Sequence, residues 1–247
     1  RRGREEGARL MSSIANHAAG RTYLVQGLGA EGLVSRLLGA IRGEQGDTRV
    51  RQHTLGCLQK CSLRRGVQDA AITAGAVEWT LSILQDADRL SEYTTEYATA
   101  LLLNLTLRTG GKDRCEAPHS RALEALMELL EHDSPQVKQY AHGSLYSILT
   151  RDSLKERAKS LGLEEMLHAL ADVYRSQLNE PLGAQVDCIA QLLHQPPPPS
   201  DASDTEEEAD AHPPRNSPLA DVPSSQVFAE GPEDHHDHIP PAPAGGG

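Results

Sequence analysis

Aromatic side chains are scarce: 247 residues hold one Trp (Trp79), one Phe (Phe228) and six Tyr. A compact α/β enzyme of this length would bury more rings, so a core of Leu and Ala, helix packed on helix, is expected instead. The same scarcity speaks against a nucleic-acid surface built on base stacking, and no nucleic-acid partner is expected. The four cysteines, Cys57, Cys61, Cys115 and Cys188, do not read as a disulfide framework and suit a reducing intracellular compartment. No run of about 18 consecutive apolar residues occurs, so no membrane insertion is expected. The chain opens on Arg1, as a fragment or a processed chain does, and shows no signal peptide.

Catalytic and cofactor signatures are equally thin. Gly27, Gly29 and Gly32 meet a G-x-G-x-x-G spacing, but "RTYLV" before them is too short for a strand and no βαβ unit follows. An inter-helix turn is the stronger reading. Gly110, Gly111 and Lys112 lack phosphate-loop spacing and read as a helix stop. Cys57 and Cys61 stand one helical turn apart, with His53 a turn earlier, which is a conceivable zinc arrangement. The repeat register described next assigns both cysteines to the core instead. His235, His236 and His238 lie in an acidic run and read as solvated. No catalytic set, metal or cofactor is expected.

Charge is unevenly spread. Residues 1–65 carry a net +7 and residues 196–247 a net −10, counting Arg, Lys, Asp and Glu. The basic start could meet an acidic protein surface, although a solvated face is the default reading. At Gln195 the composition breaks to "QPPPPSDASDTEEEADAHPP", which cannot bury enough apolar surface to offset its ordering entropy. Residues 195–247 are therefore expected to be a disordered, Pro-rich acidic tail, and residues 1–194 the folded region.

Within 1–194 one amphipathic helix recurs. In "EYATALLLNLTLRTGG", Ala98, Leu101, Leu102 and Leu105 stand at i, i+3, i+4 and i+7. Thr54, Cys57, Leu58 and Cys61 fall on the same places about 44 residues earlier, and Leu10, Ser13, Ile14 and His17 about 44 before that. Ala141, Ser144, Leu145 and Ile148 follow, then Gln185, Cys188, Ile189 and Leu192. A second helix recurs between these copies, with Val34, Val77, Leu123 and Met166 in register. Ser134 and Pro135 suit an N-cap and a first helical position, and Ser153 with Glu156 has capping-box spacing. The period predicts an all-α, armadillo/HEAT-like right-handed α-solenoid of four to five units, with the first and last incomplete. An irregular helical domain with chance periodicity is the alternative.

One place in the recurrent helix is polar in every copy: Asn16, Lys60, Asn104, Ser147 and Gln191. A polar residue fixed in each third helix lies on one surface of the stack. If that surface is the concave one, these five form a protein-binding groove whose amides hold an extended peptide backbone. A solvated helix edge would explain them as well.

The stretch 120–149, "SRALEALMELLEHDSPQVKQYAHGSLYSIL", resembles an armadillo repeat in its L-x-x-L-x-x-L-L helix, its D-S-P turn and its V-x-x-x-A-x-x-x-L-x-x-I helix. Peptide-binding armadillo proteins place a Trp one turn before the groove Asn. The matching residues here are Ser12, Gly56, Ala100 and Gly143, which argues against a nuclear-import receptor. Residues 96–115 and 140–170 are more narrowly similar to the armadillo region of LisH-domain-containing, armadillo-repeat proteins of cilia and basal bodies, a likeness spanning roughly residues 8–175. That resemblance implies a non-enzymatic scaffold in cytoplasm and cytoskeleton, at the centriole and ciliary base. It further implies roles in cilium assembly, ciliary stability and Hedgehog signalling, basal-body or microtubule-associated partners, and self-association through a missing N-terminal region. A generic armadillo adaptor for a peptide or an acidic cytoskeletal protein outside cilia is the other reading.

Overall fold

The structure, a computed structural model, describes residues 2–196. The segment expected to be a disordered tail lies, beyond Pro196, outside the described residues.

Twelve α-helices and one 3-10 turn follow one another, with no strand among the described residues. They recur in threes. The third helix of each set is one copy of the recurrent pattern: α1 (Arg2–Ala15), α3 (Arg49–Cys61), α6 (Glu92–Thr106), α9 (Pro135–Ile148) and α12 (Glu180–Leu192). The second helices are α5 (Ala76–Leu84), α8 (Ala122–Leu130) and α11 (Leu163–Ser176). The first helices are α4 (Arg65–Thr73), α7 (Thr109–Glu116) and α10 (Asp152–Ser160). In the leading set, first and second helices are joined as α2 (Ala18–Arg42), which is broken at Gly29, where φ is +69°. The glycine-rich stretch Gln26–Gly32 is thus a kink between two helices, made possible by a residue without Cβ.

Each third helix stacks on the next, α1 on α3, α3 on α6, α6 on α9 and α9 on α12, with the paired first and second helices behind them. Leu58, Leu102, Leu145 and Ile189 hold one register place in successive third helices, and all four are buried in a continuous core. Cys57 and Cys61 belong to the same core and are fully buried, as the register requires. A single unit could not cover these faces alone, so stacking and folding are one process.

Third helices start alike. Thr48, Ser91, Ser134 and Asn179 are the N-caps of α3, α6, α9 and α12, each accepting a backbone N–H one turn on, at 3.2, 3.2, 3.5 and 3.4 Å. Such a cap contributes about 1 kcal/mol. The helix α10 departs from the expected capping box. Its N-cap is Arg151, whose side chain makes no cap bond, and Ser153 turns instead to the Glu116 carboxylate of α7.

Gly110 and Gly111 do not stop α6, as their pairing suggested. The helix ends at Thr106, and both glycines sit in the first turn of α7. A Cβ at Gly111 would lie 1.9 Å from the Leu105 carbonyl oxygen, and one at Gly20, the matching place in α2, 1.8 Å from that of Ile14. These glycines let a first helix cross the last turn of the preceding third helix.

The helix α2 is long and apolar enough, by length and composition, to cross a membrane, which the count of consecutive apolar residues did not reveal. Kinked at Gly29, it buries Leu33, Val34, Leu37, Leu38 and Ile41 of its second half against the rest of the array, while of its first half only Leu24 is buried. At the far end, Leu178 closes α11 with φ +56° while 87% exposed. There Asn179 N–H donates to Tyr174 O and Leu178 N–H to Arg175 O, the pattern of a left-handed C-terminal cap. Leu178→Gly is expected to raise stability by about 0.5–1 kcal/mol in urea unfolding, since glycine adopts this conformation without strain.

Candidate protein-interaction site

The five polar residues of the third helices do not share one environment. Lys60, Asn104 and Ser147 are buried, at 3, 2 and 8% exposure, whereas Asn16 is half-buried and Gln191 exposed. Asn104 reaches back to the end of α3, its Nδ2 donating to Ser62 Oγ at 2.9 Å and to Gln59 O at 3.4 Å. Ser147 Oγ likewise donates to Thr106 O at the end of α6. Lys60 Nζ reaches Ser12 Oγ on α1 at 3.3 Å and lies 5.3 Å from the centre of the Tyr97 ring. The last carbonyls of a helix have no partner within it. At Asn104 and Ser147 the next unit supplies one. At Lys60, Asn104 and Ser147, three of the five residues expected to line a peptide-holding groove, the side chains pin one unit to its neighbour.

The third helices leave little room for a groove. Every residue of α6 from Thr94 to Thr106 is buried. Tyr93 and Tyr97 stack with ring centres 4.3 Å apart, over Gly56, where a Cβ would meet Tyr93 Oη at 2.8 Å. Farther along, Ala100, Leu103 and Tyr140 form a small buried cluster of their own. Tyrosines and small residues thus fill the side where peptide-binding armadillo proteins present a Trp–Asn groove.

The edges of the array are charged and accessible. Along the turns between second and third helices, Asp47 accepts from Ser91 N–H at 2.7 Å and from Thr94 Oγ1 at 2.6 Å, clasping the next unit's cap. Burial pushes the Asp47 carboxyl up, but these hydrogen bonds outweigh it and hold it below the usual carboxylate range. Glu96 accepts from Ser134 Oγ at 2.7 Å one unit on. Burial raises the Glu96 carboxyl above its ordinary value, aided by Glu92 and opposed by Ser134 and His132. Beside them a cleft of about 570 Å³ opens between Asp86, Asp88 and Arg89 of one turn and Glu128, Glu131 and Asp133 of the next.

The opposite edge carries arginines at each junction of third and first helices. Arg64 bonds Thr22, Arg108 pairs with Asp69 at 3.0 Å, and Arg151 with Asp113 at 2.7 Å, each reaching the preceding unit's first helix. Arg114–Glu78 and Arg157–Glu124 repeat the device one row over, at 3.1 and 2.7 Å. Exposed pairs of this kind contribute less than about 1 kcal/mol each and set register more than stability. These recurrent arginines escaped the sequence reading, although their spacing of 44 and 43 residues matches the repeat. The basic start is engaged in the same way. Arg21 donates to Ala15 O and Asn16 O, Arg42 to Ala74 O and Gly75 O, and Arg51 to Glu44 O, while Arg4 pairs with Glu44. Arg21, Arg42 and Arg51 thus meet backbone carbonyls at or near helix ends, and Arg4 a carboxylate.

The cysteines of the described residues lie away from solvent or carry raised thiols. Burial raises the Cys115 thiol to about 12, with Glu78 adding to the effect. The Cys57 thiol is raised by its hydrogen bond to Cys61 and by burial, and neither cysteine of that pair reaches solvent. Among the described residues no group of three or more His, Cys, Asp or Glu could hold a metal ion.

A family model described as "LisH domain-containing protein ARMC9, ARM repeats" matches residues 71–194. The Danio rerio protein of that name is 39% identical over 191 residues, covering 77% of this chain and 22% of the relative. The Mus musculus and Homo sapiens proteins are 42 and 41% identical, each covering 65% of this chain and 19% of the relative. The chain spans about a fifth of the length of these curated relatives. Among solved structures, the crystal structure of an engineered protein aligns at a TM-score of 0.49 with 17% identity, over 77% of this chain and 90% of that one. Stacked three-helix units and a family match over their last three sets lead to one assignment: the chain belongs to the LisH domain-containing ARMC9 family, with residues 71–194 in its armadillo-repeat region.

Proposed function

We propose that this chain is a non-enzymatic protein-binding scaffold of the centriole and ciliary base, acting in cilium assembly, ciliary stability and Hedgehog signalling. The armadillo array supports the scaffold part of this reading, since such stacks recognise other proteins over extended surfaces. The ciliary part rests on the resemblance noted in the sequence. One observation carries the mode of binding. The third helices are closed over by their own neighbours, with α6 buried from Thr94 to Thr106, so partners meet the charged edges and not an inner groove. Asn16 and Gln191 remain accessible at the two ends of the polar row. Individual edge contacts contribute about 1 kcal/mol or less, so combined substitutions are needed to break binding.

Proximity labelling with the full-length protein in ciliated cells tests this reading. Basal-body and microtubule-associated proteins are expected to dominate the labelled set. Reversing Asp86, Asp88, Glu131 and Asp133 to Lys together is expected to deplete a subset of them. Labelling dominated by cytoskeletal proteins unconnected with cilia would favour a generic adaptor.

A further inference from the structure

Four seams join the third helices, and three of them are pinned. Lys60 secures α1 to α3, Asn104 secures α3 to α6, and Ser147 secures α6 to α9. At the fourth seam the matching residue is Gln191, which is exposed and whose side chain makes no hydrogen bond to α9 among the described residues. The interior of that seam differs too. Facing positions that hold Leu55 and Ala98 at the α3–α6 seam, then Thr99 and Ala141 at the next, hold His142 and Gln185 between α9 and α12. His142 is 1% exposed; its ring faces the Gln185 amide, but neither ring nitrogen meets full hydrogen-bond geometry. Gln185 Oε1, Ser144 Oγ and Tyr174 Oη are buried without partners as well. The seam between α9 and α12 thus combines a missing pin with a cluster of unsatisfied polar atoms.

We propose that the α9–α12 seam is an acid-labile joint, in which a proton taken up by His142 frees α12 from α9. The His142 ring packs edge-on to Tyr174 of α11, with centres 6.3 Å apart, and faces Gln185 of α12. Most charged groups of the surrounding elements are engaged elsewhere or carry the same sign. On α9 itself stands Lys138, a like charge; α12 brings Cys188, whose thiol is raised, and Asp187, bound to Arg175. The helix α6 brings Glu96, engaged by Ser134; α8 brings Glu128 and Glu124, the latter paired with Arg157; α7 brings Asp113 and Glu116, both facing Arg151. The helix α11 brings Glu164, paired with His194, and Asp172, paired with Arg175. Lys138 is the charged group that acts on the ring. Burial, with Lys138 adding to it and Gln185 opposing, pulls His142 down to about 4 from an ordinary 6.5.

The sign follows from linkage. A group depressed in the closed state stabilises that state fully above its ordinary value. The contribution is lost as pH falls through about 6.5 and is exhausted below about 4. Opening of α12 should therefore rise roughly eightfold at pH 5.5 and roughly sixtyfold at pH 4.5, relative to pH 7. Lys155 Nζ donates to Gln195 O and so ties the chain just beyond α12 to α10.

Hydrogen exchange of the full chain, corrected for the intrinsic pH dependence of exchange, reads this directly. Protection of 180–192 is expected to fall by those factors while α3 and α6 keep theirs, and His142→Gln is expected to make α12 opening independent of pH. Equal loss across all third helices, or the same α12 profile in H142Q, would overturn the proposal. Should H142Q fail to fold, the wild-type ring decides by proton NMR. An imidazole that stays neutral down to about 4 supports the joint, and one titrating between about 6 and 7 contradicts it.

Discussion

Replacing Gly111 by Ala is expected to remove about 3 kcal/mol or more of stability, while the same change at Gly110 leaves stability unchanged or slightly raised. The two residues are chain neighbours in the first turn of α7, and helix propensity favours Ala at both by up to about 1 kcal/mol. Their surroundings differ. A Cβ at 110 meets Ile72 Cγ2 at 3.5 Å, an ordinary contact, whereas one at 111 lies 1.9 Å from Leu105 O and 2.6 Å from its carbonyl carbon. Those are backbone atoms at the end of α6, in the middle of the array, and they cannot step aside without shifting a buried helix. Paired urea unfolding curves of G110A and G111A provide the measurement. Equal midpoints would mean that α7 does not cross α6 this closely.

Asn104→Asp is expected to cost about 3–5 kcal/mol, because it removes both donors and buries a carboxylate. Asn104 is 2% exposed and its Nδ2 serves Ser62 Oγ and Gln59 O. The substituted oxygen would face the Gln59 carbonyl, an acceptor against an acceptor. Asn104→Ala, which leaves no charge behind, should cost a smaller amount of about 1–3 kcal/mol. Both changes should appear in thermal unfolding, and edge-mediated capture of partners should survive at temperatures where the variants remain folded. A variant that lost partners while keeping wild-type stability would restore Asn104 to a binding role.

The repeat was legible because burial imposes a period. Leu58, Leu102, Leu145 and Ile189 must be apolar wherever a third helix meets its neighbours, so the third helices and most second helices declared themselves. Of the first helices only α10 was signalled, by the capping-box spacing of Ser153 and Glu156. The sequence of α7, "TGGKDRCE", carries two glycines and little apolar periodicity, and its helix is held by tertiary contact and not by propensity. The same reason explains the misread glycines. Gly110–Gly111 looks like a stop signal, since the demand for close approach comes from a chain segment that sequence spacing does not reveal.

The polar row was visible in sequence but its direction was not. A period of about 44 shows that Lys60, Asn104 and Ser147 share a face; whether that face looks into solvent or into the next unit depends on how tightly the units stack. Here small residues at Gly56 and Ala100 and the tyrosines at 93, 97 and 140 close the space. The missing aromatic at the Trp place was the available clue. It was read as evidence against one partner class, when it also signalled that no groove needed lining. The arginines at 64, 108 and 151 were likewise present in the register, but a count of net charge blended them into a basic face and hid their pairing with the preceding unit.

A double-mutant cycle between Asn104 and Ser62 tests most directly whether the polar row binds unit to unit. Unfolding free energies of N104A, S62A and the double variant should show a coupling of about 0.5–3 kcal/mol, as two buried groups sharing a hydrogen bond require. Strict additivity of the two single losses would contradict it, and the row would then belong to a surface that some other protein covers.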